Sequence, residues 1–104
     1  MVLWVVQYSV RPETAAEFGE WAKTAIDRLL TIPGLVEFRS YRPITGGSQT
    51  ASTYEFADMQ SWVEWHSSET TQQILQEVRA FTVNFSAELW GPSPMVPTPL
   101  RPGS

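Results

Sequence analysis

Residues 2–10, VLWVVQYSV, form an apolar run of β-branched and aromatic side chains without a breaker, the pattern of a core strand buried on both faces. Arg11-Pro12 then sets a proline where a helix starts, and Ala15, Phe18, Ala22, Ala25 and Leu29 recur at steps of three and four, with Ile26 and Leu30 widening the stripe. An amphipathic helix to about Leu30 follows, its opposite side carrying Glu13, Glu17, Glu20, Lys23 and Asp27 as a solvated face. Pro33-Gly34 ends it, and residues 35–42 (LVEFRSYR) read as a second strand. Residues 43–48, with Gly46-Gly47 central, make a hairpin connection into a third strand at 49–56 (QTASTYEF). Asp58 is a good N-cap for a second helical region with Met59, Trp62, Val63 and His66 on one side, and Ser61 and Glu64 are spaced as a capping pair. Ser67-Ser68 bends or breaks that helix, which resumes through Ile74, Leu75 and Val78. Residues 81–90 (FTVNFSAELW) alternate most cleanly, with Phe81, Val83, Phe85, Ala87 and Leu89 set against Thr82, Asn84, Ser86 and Glu88.

The order strand, helix, strand, strand, helix, strand is that of a ferredoxin-like β-α-β-β-α-β fold of the α+β class, with both helices on one face of an antiparallel sheet. The other face would carry Gln7, Ser9, Glu37, Arg39, Thr53, Glu55, Asn84, Ser86 and Glu88 among apolar positions of the first strand. A second copy of the same sheet is the simplest cover, so a homodimer through the sheet face is expected. Arg39, Glu37 and Glu55 are assigned to ion pairing across the hairpin or the dimer. One domain over residues 1–90 is followed by a Pro-rich tail at 91–104, which holds five of the eight prolines and cannot continue a helix or strand. Met95, Val96 and Leu100 give this extended tail some apolar grip on a partner subunit, against the plainer reading of a frayed terminus.

Composition narrows the chemistry. The 104 residues are 42% hydrophobic and 17% charged, too apolar for a disordered segment. With no cysteine and one histidine, thiol nucleophiles, zinc ribbons and multi-histidine metal sites are excluded. The net charge of −4 and seven scattered Lys and Arg give no basic stripe, so nucleic acid is not an expected partner. No apolar stretch approaches a membrane span, and the six-residue apolar start lacks the cationic leader of a signal peptide, so a soluble cytoplasmic protein without membrane contact is expected. Gly46-Gly47 is an isolated pair, and neither a dinucleotide nor a Walker pattern occurs.

Three stretches together resemble the antibiotic biosynthesis monooxygenase-like proteins of the dimeric α+β barrel class. These are VRPETAAEF at 10–18, similar to V-x-P-G-x-x-x-x-F; IPGLVEFRSYRP at 32–43, similar to the family's segment entering its second strand; and YEFADMQSWVEWHSS at 54–68, where a strand ending in an aromatic and Glu leads into a helix with a His-x-x-Ser or Trp-x-x-Ser step. The resemblance covers residues 2–90 and implies the fold more specifically than the activity. Alignment on Tyr54 places the family's helix histidine at His66, whereas alignment on Ser68 places it at Trp65. The haem-degrading branch is expected to need an Asn on strand one, a Trp on strand three and a late His in helix two. Here the nearest residues are Gln7, Tyr54 and the aliphatic Ile74 or Leu75, which cannot ligate iron.

The resemblance implies a monooxygenase that needs no metal or other cofactor and acts on an electron-rich phenol, quinol or polyketide-like aromatic. His66 is the candidate catalytic base, since its ordinary pKa lies near neutrality; its plainer reading is a helix-surface or dimer-contact residue. Trp65 and Trp62 are candidate walls for a planar substrate, or core anchors. Tyr54, Gln7 and Asn84 are candidate hydrogen-bonding groups for a substrate oxygen, or polar groups satisfied by their neighbours. Two other classes remain: a non-catalytic small-ligand-binding or assembly module, and isomerase or decarboxylase chemistry, which would need a carboxylate or histidine inside the pocket. An aromatic-sized cavity beside His66, Trp65 and Tyr54 separates the module from the others.

Overall fold

The computed structural model describes residues 1–103, and Ser104, the last position of the tail, lies outside the described residues. Strand β1 (Val2–Val10) leads through a 3-10 turn at Pro12–Thr14 into helix α1 (Ala15–Leu30). Strands β2 (Leu35–Tyr41) and β3 (Thr50–Phe56) follow, then helices α2 (Met59–His66) and α3 (Glu69–Val78), and strand β4 (Thr82–Trp90). The sheet has the order β2-β3-β1-β4 with every pairing antiparallel, which is the ferredoxin-like α+β arrangement. No helix among the described residues is long and apolar enough to cross a membrane.

Alternation on β1 sends Val2, Trp4, Val6 and Tyr8 toward the helices, opposite Phe56, Tyr54, Ser52 and Thr50 of β3. Phe56 and Trp65 are fully enclosed, and Ala25 and Leu29 of α1 and Ile74 of α3 close the core over them. Gly34 stands at φ 110°, a backbone angle that suits glycine, in the turn between α1 and β2. The Asp58 carboxylate accepts from the Ser61 backbone N–H at 2.8 Å, so Asp58 caps α2 and Ser61 is its third residue; this displaces the capping pair expected of Ser61 and Glu64. The Ser68 hydroxyl accepts from the Thr71 N–H at 3.2 Å and starts α3, which makes Ser67-Ser68 a true break.

Three expectations are corrected. The alternation of the last strand is interrupted at Asn84, whose φ of 56° marks a bulge between the pairs Gln7↔Ser86 and Ser9↔Val83. Two residues of β4, Asn84 and Phe85, there stand against one of β1, Tyr8, so Val83 shares the outer face with Ser9 while Phe85, Ala87 and Leu89 face the helices, and Thr82 turns inward to donate to the Val78 carbonyl at 2.9 Å. The inward stripe of α2 comprises Trp62 and Trp65, whereas Met59 and Val63 are exposed. On the outer face Arg39 pairs along its own strand with Glu37 at 2.6 Å rather than across the hairpin, beside the like-charged Glu37↔Glu55 register pair. The tail at 91–103 carries no helix or strand.

Candidate active site

Two adjoining cavities lie between the helices and the sheet. The first, of about 250 Å³, is walled by Trp4, Phe18, Trp21, Phe38 and Phe85, roofed by Ala25, Ile74 and Val78, and floored by Tyr8, Ser52 and Tyr54. The second, of about 380 Å³, opens between α2, α3 and β4 against Trp62, His66, Arg79, Ala87 and Leu89. Trp4, Leu75 and Phe85 line both, so the two compartments share a wall. Such mostly apolar space with a few polar groups is the form of a small-molecule site.

Trp4 organises the region. Its ring lies 5.2 Å from Tyr54, and its edge meets the His66 imidazole at 5.4 Å. His66 is the last residue of α2 and stacks on Trp62 at 4.7 Å with 26° between the planes, the expected consequence of placing two rings four residues apart on a helix. Burial lowers the His66 pKa from its ordinary 6.5, so at neutral pH the ring is uncharged and one nitrogen is a free acceptor. No side chain among the described residues hydrogen-bonds that ring, and its plane is set by the stacked Trp62 and the edge-on Trp4. Burial, with a smaller contribution from Tyr8, raises the Tyr54 pKa far above its ordinary value, and burial also raises that of Tyr8; both phenols are therefore neutral donors. A carboxylate clasp holds the outer wall: Glu77 accepts from the Trp21 indole N–H at 2.7 Å and takes Arg28 at 2.9 and 3.2 Å, tying α1 to α3. Arg28 and the indole together keep the Glu77 pKa below its ordinary value.

Of the residues singled out in the sequence, Tyr54 lines the first cavity and His66 and Trp62 line the second. Trp65 lines neither; it is 0% exposed, packed against Trp4, Tyr54 and Phe56, with its indole nitrogen unpaired among these rings. Gln7 stands between Val6 and Tyr8 and so faces the outer side of the sheet, opposite Ala51 and Ser86. Asn84 is exposed at the bulge, where its φ accounts for the residue type. Trp4, Tyr8, Trp21, Leu75, Arg79 and Phe85 line the cavities without having been singled out. For Trp4 and Tyr8 the available signal was the period-two alternation that pairs them with Tyr54 and Thr50; for Trp21 it was its place three residues after Phe18.

Comparison with known proteins agrees with this architecture. A family model described as antibiotic biosynthesis monooxygenase matches residues 1–77. No curated protein sequence is significantly similar to the chain. Among solved structures, a DABB-family protein with a ferredoxin-like fold from Mesorhizobium loti superposes with a TM-score of 0.79 at 16% identity, covering 88% of this chain and 96% of that one. SnoaB, a cofactor-independent oxygenase from Streptomyces nogalater, gives 0.72 at 15% identity over 93% of this chain and 97% of its own. A protein of Arabidopsis thaliana gives 0.77 at 12% identity over 89% and 96%. At these identities the superpositions speak for the fold, whereas the family match spans well over half of the sequence. The chain belongs to the antibiotic biosynthesis monooxygenase family.

Proposed function

We propose that the protein is a cofactor-independent monooxygenase, cytoplasmic and homodimeric, that oxidises an electron-rich phenol, quinol or polyketide-like aromatic. The observation that carries this reading is a neutral imidazole, His66, stacked on Trp62 in a compartment that shares its Trp4 wall with an aromatic-lined cavity of about 250 Å³. A planar ring fits between those walls, and His66 accepts the phenolic proton. The resulting anion is electron-rich enough to reduce dioxygen directly, and the apolar walls keep water from the reacting carbon. For an anthrone-like substrate the balance is complete: the reacting CH₂ loses two hydrogens, one oxygen atom becomes the product carbonyl, and the other leaves as water. Tyr54, a buried neutral donor, is placed to hydrogen-bond the developing oxyanion. The dimer forms through the outer sheet face, where Leu3, Val5, Val83 and Trp90 sit among polar side chains. Reaction of anthrone under ¹⁸O₂ tests the proposal: one labelled oxygen in the organic product, formed faster than without protein, is expected, and labelled product formed only at the protein-free rate would leave a ligand-binding module.

A further inference from the structure

The hydroxyls of the first cavity that are not committed to a partner gather on one side, the sheet floor. Tyr8 lies opposite Thr50, Ser40 lies opposite Ser52, and Tyr54 is the next inward residue of β3 after Ser52. All five line the cavity, and none of their hydroxyls has a hydrogen-bond partner among the described residues. Ser52 is 4% exposed and Tyr54 9%, yet neither hydroxyl is among the polar atoms sealed off without a partner, so both donors open into the cavity, where the acceptor of a ligand can take the place of water. By contrast, the Trp21 indole and the Thr71 hydroxyl on the helix side are already committed, to Glu77 and to the Trp65 carbonyl. No Asp, Glu, His, Lys or Arg lines this cavity, so a charged group entering it would lose its hydration without a countercharge.

We propose that the sheet floor is a recognition site for an uncharged planar ring system bearing a carbonyl oxygen on one edge, which the Tyr8 and Tyr54 hydroxyls bind as donors while the aromatic walls take the ring faces. The inference rests on the reading of the site given above in one respect: the ring held by the floor is the one whose reacting end points to His66. It adds a specificity rule. Neutral oxygenated rings are admitted, bare hydrocarbons bind weakly, and anions are refused.

The test is equilibrium binding of fluorene, 9-fluorenone and 9-fluorenone-2-carboxylate to the full chain, compared with Tyr8→Phe and Tyr54→Phe, which keep the ring volume. Fluorenone should bind about tenfold more tightly than fluorene, the carboxylate more weakly than fluorenone, and each variant should lose roughly 3- to 10-fold for fluorenone with fluorene unchanged. Should Tyr54→Phe fail to fold by circular dichroism, Tyr8→Phe and Ser52→Ala carry the comparison. Equal affinity for fluorene and fluorenone, unchanged fluorenone affinity in the variants, or no binding of either compound overturns the proposal. Tyrosine-dependent fluorenone binding without ¹⁸O incorporation above the protein-free rate would retain the recognition site and contradict the oxygenase; protein-accelerated ¹⁸O incorporation with tyrosine-independent binding would do the reverse.

Discussion

Trp62 and Trp65 stand three residues apart on one short helix and have opposite roles. Trp65 is wholly enclosed by rings, so Trp65→Ala should cost about 3–5 kcal/mol in urea unfolding, as expected for an aromatic deleted from a packed core. Trp62 is half-buried and stacked on His66; Trp62→Ala should cost less stability and instead weaken aromatic ligand binding. A stability loss in Trp62→Ala equal to that in Trp65→Ala would contradict this division. Sequence spacing could not separate the two, because either face of α2 could turn inward until the pairing of β1 with β3 set where the core lay. His66 carries a sign that can be measured. Its folded pKa is lowered, so the unfolded chain takes up the proton first as pH falls. The stability it contributes is full above the ordinary value of 6.5 and declines below it, and the acid limb of kcat/KM should have its midpoint under 6.5.

Between elements, two features hold the cavities open and in register. The Glu77 carboxylate spans α1 and α3 through Arg28 and the Trp21 indole; because its side chain is 40% exposed, Glu77→Ala should cost only about 1 kcal/mol, a fall of roughly 4–8 °C in Tm by calorimetry. Ligand affinity should fall with it, since Trp21 loses the bond that fixes its ring in the cavity wall. The bulge at Asn84 gives a cleaner backbone prediction. With φ at 56°, Asn84→Gly should be near neutral, whereas Asn84→Val should destabilise by about 1–2 kcal/mol or more, read by thermal melts; equal melting temperatures would refute a backbone role. The strands themselves were legible from alternation because a sheet with one apolar face imposes it. The bulge was not, since FTVNFSAELW continues an unbroken period of two across the very residue where the chain slips by one.

For the molecule as a whole, the element order read from the sequence is the order found, and three of the candidate site residues, His66, Trp62 and Tyr54, line the two cavities. Gln7 and Asn84 are polar side chains on the outer side or at the bulge, and a polar residue in an apolar strand looks the same in sequence whichever face it takes. The hydroxyl floor was equally hidden: Tyr8, Ser40, Thr50 and Ser52 come from three strands, and only register makes them neighbours. If the outer sheet face is covered by a second copy, sedimentation at micromolar concentration should give a species of twice the 11.8 kDa chain mass, and a chain that sediments as a monomer would leave that face bare. The most direct measurement of the proposed chemistry is oxygen consumption by chelator-treated protein with anthrone over about pH 5 to 8, with His66→Ala alongside. Uptake above the protein-free rate, with an acid limb below pH 6.5 and a loss of roughly 10²- to 10⁴-fold in the variant, is the expected result. Uptake no faster than without protein, or undiminished when the imidazole is removed, would contradict it.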